Sequence, residues 1–167
     1  MKSNIVCRLL LIPSIAMVCM NLTVPVVRAQ NNSCSTAQAA GQWGFTFIGT
    51  LLTPTGTVPV AAVARGTFDT QGNITSAWEA RSVGGGFANE TITGSWTVNS
   101  DCTGTLTAYV YESSVLTRTS VVSLVFVDNM REVRMVQQSL TLPSGATLPV
   151  VITLEGKRLF PQDTNPQ

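Results

Sequence analysis

The chain has 167 residues, with 10 basic and 9 acidic groups, no histidine, and a charged fraction of only 11%. Three of the basic residues (Lys2, Arg8, Arg28) fall in the first thirty positions, so the rest carries seven basic against nine acidic groups; that net −2 argues against nucleic acid as a partner and demotes phosphate and acidic-lipid ligands. Without histidine, serine-protease-like triads, cysteine-peptidase pairs and common zinc sites lack their parts.

Lys2 and Arg8 precede an apolar run from Leu9 to Leu22, and Val27-Arg28-Ala29 offers a small-residue cleavage site before Gln30. This pattern predicts a secretory signal peptide over residues 1–29 and a secreted or periplasmic protein. The apolar core is short for a membrane span, so no stable membrane insertion is expected after cleavage. Removing 29 of 167 residues leaves 138, enough for one domain burying roughly two-thirds of its unfolded surface. Cys7 and Cys19 belong to the signal. Lipid attachment at Cys19 is disfavoured because Ala16-Met17-Val18 lacks the usual small residues. Cys34 and Cys102 remain in an oxidising compartment and are predicted to pair, the alternative being two separate buried thiols.

Residues 30–41 are small and polar and read as a tether rather than an element. From Gly41 onward, segments rich in Val, Thr, Ile, Phe, Tyr and Trp alternate with Gly, Pro, Asn and Asp at intervals of roughly 12 to 16 residues, an all-β pattern. Strands are predicted near 42–52, 58–69, 73–83, 87–99, 103–113, 118–128, 131–142 and 149–158. Turn chemistry at Asp69–Asn73, Gly84–Gly86, Asn99–Cys102 and Asp128-Asn129 supports sequential hairpins. The prediction is an all-β, antiparallel up-and-down barrel of about eight strands over residues 42–160. The first and last strands pair and so remove both exposed edges. Residues 161–167 read as a flexible tail.

Strict alternation predicts inward faces of Trp43, Phe45 and Phe47; Ile74, Ser76, Trp78 and Ala80; Ile92, Gly94, Trp96 and Val98; and Leu106, Ala108 and Val110. Gly44, Gly66, Gly94 and Gly104 lie inside strands, where they permit curvature and bulges. Val121–Val127, apart from Ser123, and Leu148–Leu154 are apolar on both faces, which predicts an outer face either covered externally or buried against another subunit of a homo-oligomer.

The order Cys34, Gly41-x-Trp43, Gly66-x-Phe68-Asp69 with Gly72-Asn73, Gly94-x-Trp96-x-Val98-Asn99-x-Asp101-Cys102-x-Gly104, and Val127-Asp128-Asn129 with Glu132 resembles a group of small secreted bacterial barrel proteins of unassigned function, similar in architecture to allene oxide cyclase-like and lipocalin-like barrels. The matching positions are turns and core residues. The resemblance implies a scaffold, with lipid-derived ligands or cyclisation as its functional analogies.

Strand charges and phenols supply the candidate ligand-binding residues: Glu79 with Arg81, Tyr109 with Tyr111, and Glu132 with Arg134, each pair sharing one face. Two readings compete. If Trp78 faces in, Glu79 and Arg81 belong to an outward charge ladder of little energetic weight. Turned inward, such pairs would line a pocket mouth and orient a polar head group. A bore of eight strands either fills with side chains or holds one small ligand. Asp69, Asn73, Asp101 and Asp128 fit turn capping better than calcium, and no metal or cofactor is called for. The sequence thus points to a small apolar or amphipathic ligand bound by a non-enzymatic barrel. The alternatives are a structural or interaction module with a filled core and a cyclase or isomerase on the same scaffold. Catalysis would require a carboxylate or tyrosine with a displaced pKa inside the pocket.

Overall fold

The structure, a computed structural model, describes residues 33–159; the segment read as a signal peptide, 1–29, and that read as a tail, 161–167, lie outside them. Its elements are a helical turn α1 (Thr36–Ala39) followed by β1 (Gly41–Thr53), β2 (Gly56–Phe68), β3 (Ile74–Val83), β4 (Gly86–Val98), β5 (Thr103–Glu112), β6 (Val115–Val127), β7 (Glu132–Thr141), the two-residue β8 (Thr147–Leu148) and β9 (Val150–Arg158). Each long strand pairs antiparallel with the next, β7 pairs with both β6 and β9, and β9 returns to β1, with Phe47 opposite Leu154. The result is a closed eight-stranded barrel without a free edge, with β8 adding a short ladder to the end of β7. Closure through the first and last long strands is as the sequence predicts. Among the described residues, no helix is long and apolar enough to cross a membrane.

The two ends of the barrel differ. At one end, Trp43, Phe68, Trp96 and Phe126 fill the bore. Trp96 stacks on Phe68 with centroids 3.7 Å apart and meets Trp43 and Phe126 edge-on at 5.6 and 5.3 Å. Val133 and Ala39 complete this plug, both fully buried. Aromatic rings achieve this because each buries a large apolar area, and edge-on contacts satisfy their quadrupoles.

The segment read as a tether is part of that plug. Ser35 caps α1 by accepting from the Gln38 amide, Thr36 Oγ1 accepts from Val98 N at 3.0 Å, and the Trp43 indole donates to Ala39 O at 2.9 Å. Arg158 reaches from β9 across the Trp43 ring, 5.1 Å from its centroid, to donate to the Ala40 and Gln38 carbonyls. Cys34 and Cys102 form the expected disulfide, joining this segment to the β4–β5 turn. A polar composition does not prevent ordering when partners satisfy the backbone of a helical turn.

Of the predicted inward faces, those of β1, β4 and β5 hold: Trp43, Phe45, Trp96, Leu106, Ala108 and Val110 are buried. The β3 face is reversed, since Trp78 is 46% exposed and Glu79 only 3% exposed. The cause is a bulge. Thr67 pairs with Ser76 and Phe68 with Ile74, leaving Thr75 unpaired, so the phase of alternation changes between Ile74 and Ala77. Counting inward positions by twos from Ile74 places every later residue on the wrong face. On the segments predicted to be two-sided, Val125, Val127 and Val151 do present apolar side chains outward.

Gly94 shows what the strand glycines permit. Its φ is +139°, and a Cβ there would sit 2.0 Å from the Thr107 carbonyl oxygen on β5. Gly94→Ala is expected to cost roughly 2–4 kcal/mol through combined backbone strain and steric overlap, read as a lower guanidinium midpoint with an unchanged slope. An unaltered midpoint would show that the β4–β5 approach is not tight.

Candidate functional site

Away from the plug, the bore opens into a partly enclosed cavity of about 240 Å³. Phe45, Phe47, Ile92, Leu106, Ile152 and Leu154 form its deeper wall, and Leu51, Val83, Leu142 and Leu148 stand near the strand ends at its mouth. Among these apolar side chains the wall carries a polar sector: Glu79, Arg81, Thr117, Arg118, Ser120 and Gln137.

Strands β3, β4 and β6 position its charged part. Glu79 on β3 is directly cross-strand from Glu90 on β4, both facing in, with the Glu90 side chain fully buried. Two carboxylates in such a pair repel. The compensating cation is Arg118, on β6, two strands beyond Glu90. Its Nη1 donates to both Glu90 oxygens, at 2.8 and 2.7 Å, and its Nη2 donates to Glu79 Oε1 at 2.8 Å. It points inward in phase with Ser120 and Val122, and a second bulge lies on its N-terminal side. Val110 pairs with Arg118 and Tyr111 with Leu116, so Thr117 is the extra residue and both Thr117 and Arg118 border the cavity. Arg81 Nε lies 2.8 Å from Glu90 Oε1, an ion pair whose N–H is not aligned for a hydrogen bond, and Arg81 Nη2 lies 3.6 Å from Glu112 at the rim.

Burial pushes the Glu79 carboxyl above its ordinary range. Arg118 opposes that shift, the Glu90 carboxylate reinforces it, and Arg81 opposes it weakly. Glu79 therefore takes up a proton more readily than a solvated glutamate. Nearby, Gln137 Nε2 donates to Ser120 Oγ and to the Ser139 carbonyl, both at 3.1 Å, which satisfies a second polar spot on the wall.

The six candidates drawn from the sequence separate into two environments. Glu79 and Arg81 lie together on the cavity wall. Tyr109 and Tyr111 are on the opposite face of β5 from buried Val110, and neither borders the cavity. Glu132 and Arg134 are on the barrel exterior, where they pair with each other at 3.0 Å, Glu132 with Lys157 at 2.9 Å, and Arg134 with Glu155. Hydrogen bonding from Lys157 holds the Glu132 carboxyl below its usual range. This is the outward charge ladder, placed on β7 and β9 instead of β3. Solvent screening leaves such exposed pairs little weight in stability.

Glu90 and Arg118 complete the inner cluster, and both carry a sequence signal. Glu90 is in phase with Ile92 and Trp96, and Arg118 with Ser120, Val122 and Leu124, all inward. Among the described residues, no three His, Cys, Asp or Glu side chains are grouped to hold a metal ion. Comparison with protein-family models and with curated proteins gave no match, so the cavity and its charged wall are the basis for assigning function.

Proposed function

We propose that this protein is an exported binding protein that takes one small apolar or amphipathic ligand inside its barrel. The observation that carries this reading is the partly enclosed cavity of about 240 Å³, which the aromatic plug leaves unfilled. Apolar cavities of about 150 Å³ accept benzene, so this one has room for about ten non-hydrogen atoms, with the mouth able to take a longer tail. Apolar walls with a few convergent polar groups are the usual composition of a small-molecule site. The disulfide fits an oxidising, non-cytoplasmic location.

Native mass spectrometry of protein from its own secreted fraction tests the proposal. A reproducible mass excess, lost on denaturation, is expected. The bare disulfide-bonded mass, together with no rise in melting temperature across a panel of apolar probes, would overturn it. The place of Glu79 favours a second reading, in which a protonated carboxyl acts on the bound molecule as a general acid. Recovery of the bound molecule in chemically altered form would distinguish catalysis from carriage.

A further inference from the structure

Resting on that binding reading, we infer that the ligand is an uncharged apolar molecule with a hydrogen-bond-accepting oxygen, such as a ketone or ether, and that Glu79 donates to it. The hydrogen bond recorded on Glu79 uses Oε1; among the described residues Oε2 has no partner, although the side chain is on the cavity wall and almost wholly buried. Of the guanidinium groups beside it, that of Arg118 is already hydrogen-bonded. Arg118 spends its Nη1 on Glu90 and its Nη2 on Glu79, while Arg81 is balanced by the charges of Glu90 and Glu112 without an aligned hydrogen bond.

The charge balance selects the head group. Arg81 and Arg118 against Glu90 and the half-exposed rim carboxylate Glu112 are neutral together, so an ionised Glu79 leaves the cluster one negative charge in excess; of the two buried carboxylates Glu90, in contact with both guanidinium groups, is the better compensated. A proton on Glu79 removes the excess and turns its carboxyl into a donor. The upward displacement of Glu79 by burial agrees with this assignment. A carboxylate ligand would restore the excess charge in a poorly solvated bore; Arg118 could meet it only by releasing Glu79 or Glu90, and Arg81 only by sharing a charge that Glu90 and Glu112 already balance. An ammonium head would require Glu79 to ionise and would lose its own hydration on entering.

Titration calorimetry with nonan-2-one, nonane, nonanoate and nonylamine tests the inference. Nonan-2-one is expected to bind at least fivefold more tightly than nonane and at least tenfold more tightly than nonanoate or nonylamine. Its affinity should fall as pH rises through the Glu79 pKa, because the donor is lost. Glu79→Gln keeps an N–H donor, so that variant should bind the ketone with little pH dependence, and Glu79→Met should lose about fivefold. Equal affinity for ketone and alkane, or tighter binding of nonanoate or nonylamine, would overturn the inference while leaving ligand binding intact. If all four probes fail to bind, the binding reading itself falls. The pH series on the unmodified protein decides the question even if a variant does not fold.

Discussion

Arg118→Met is expected to lower stability by about 3–5 kcal/mol at neutral pH, because it removes the cation from two buried carboxylates that face each other across β3 and β4. Methionine matches much of the arginine stem, so the loss reports the charge more than the packing. Arg81 remains in contact with Glu90 but not with Glu79. Glu79, already displaced upward, should then hold a proton over a wider range. The sign follows from linkage. A carboxyl whose folded-state pKa exceeds the unfolded value binds more protons in the native state, so stability is greatest at low pH and is lost as pH rises from the unfolded pKa toward the folded one. The Arg118→Met variant should therefore regain stability when urea unfolding is measured at pH 5 instead of pH 7. Adding Glu90→Gln should recover a substantial part of the loss at neutral pH, since a fully matched replacement of a buried ion pair is often near neutral. Equal stability of the single variant and the parent at both pH values would mean that water enters the cluster freely and that its charges are solvated.

Replacing both Cys34 and Cys102 with alanine is expected to cost about 4 kcal/mol, the chain-entropy value for a crosslink spanning 68 positions. The bond also has a local task. It ties the residue that precedes α1 to the β4–β5 turn, where Cys34 N donates to Ser100 O at 3.2 Å. Guanidinium unfolding with and without reductant measures the global effect. Hydrogen exchange at the Trp43 indole N–H, which donates to Ala39 O, measures the local one. Loss of both together is expected. If indole protection disappears while the unfolding midpoint stays in place, the bond anchors α1 alone and the barrel stands without it.

The barrel, its strand order and its closure were legible because they rest on local signals repeated along the chain, namely turn residues at regular spacing and β-rich segments between them. The alternation of β1, β4 and β5 was equally readable, since Trp43, Trp96 and Leu106 each mark an unbroken period of two. The site was readable only in part, and a bulge explains why. Thr75 shifts the phase of β3, turning Trp78 outward and Glu79 inward, whereas Arg118 keeps the inward phase of Ser120 and Val122 and the bulge at Thr117 only adds that residue to the wall. Hydrophobicity alone favours a buried tryptophan over a buried glutamate. The preference reverses here because Arg118 satisfies Glu79 from three strands away, a contact that periodicity does not encode. The ordering of α1 was hidden for a similar reason. Its partners, Val98, Cys102 and Arg158, are distant in sequence.

Closure of the ring by β1 and β9 sets an order on assembly. Phe47 waits for Leu154, 107 positions later, before its second edge is covered. A chain emerging from its N-terminus can form the hairpins from β1 to β6 while both borders of the growing sheet remain unpaired. Such non-local closure slows folding and prolongs the interval in which strand borders can recruit other chains. Once β9 seats, that hazard ends at a single step, so truncation of the last strand should be far more damaging to solubility than its nine residues suggest.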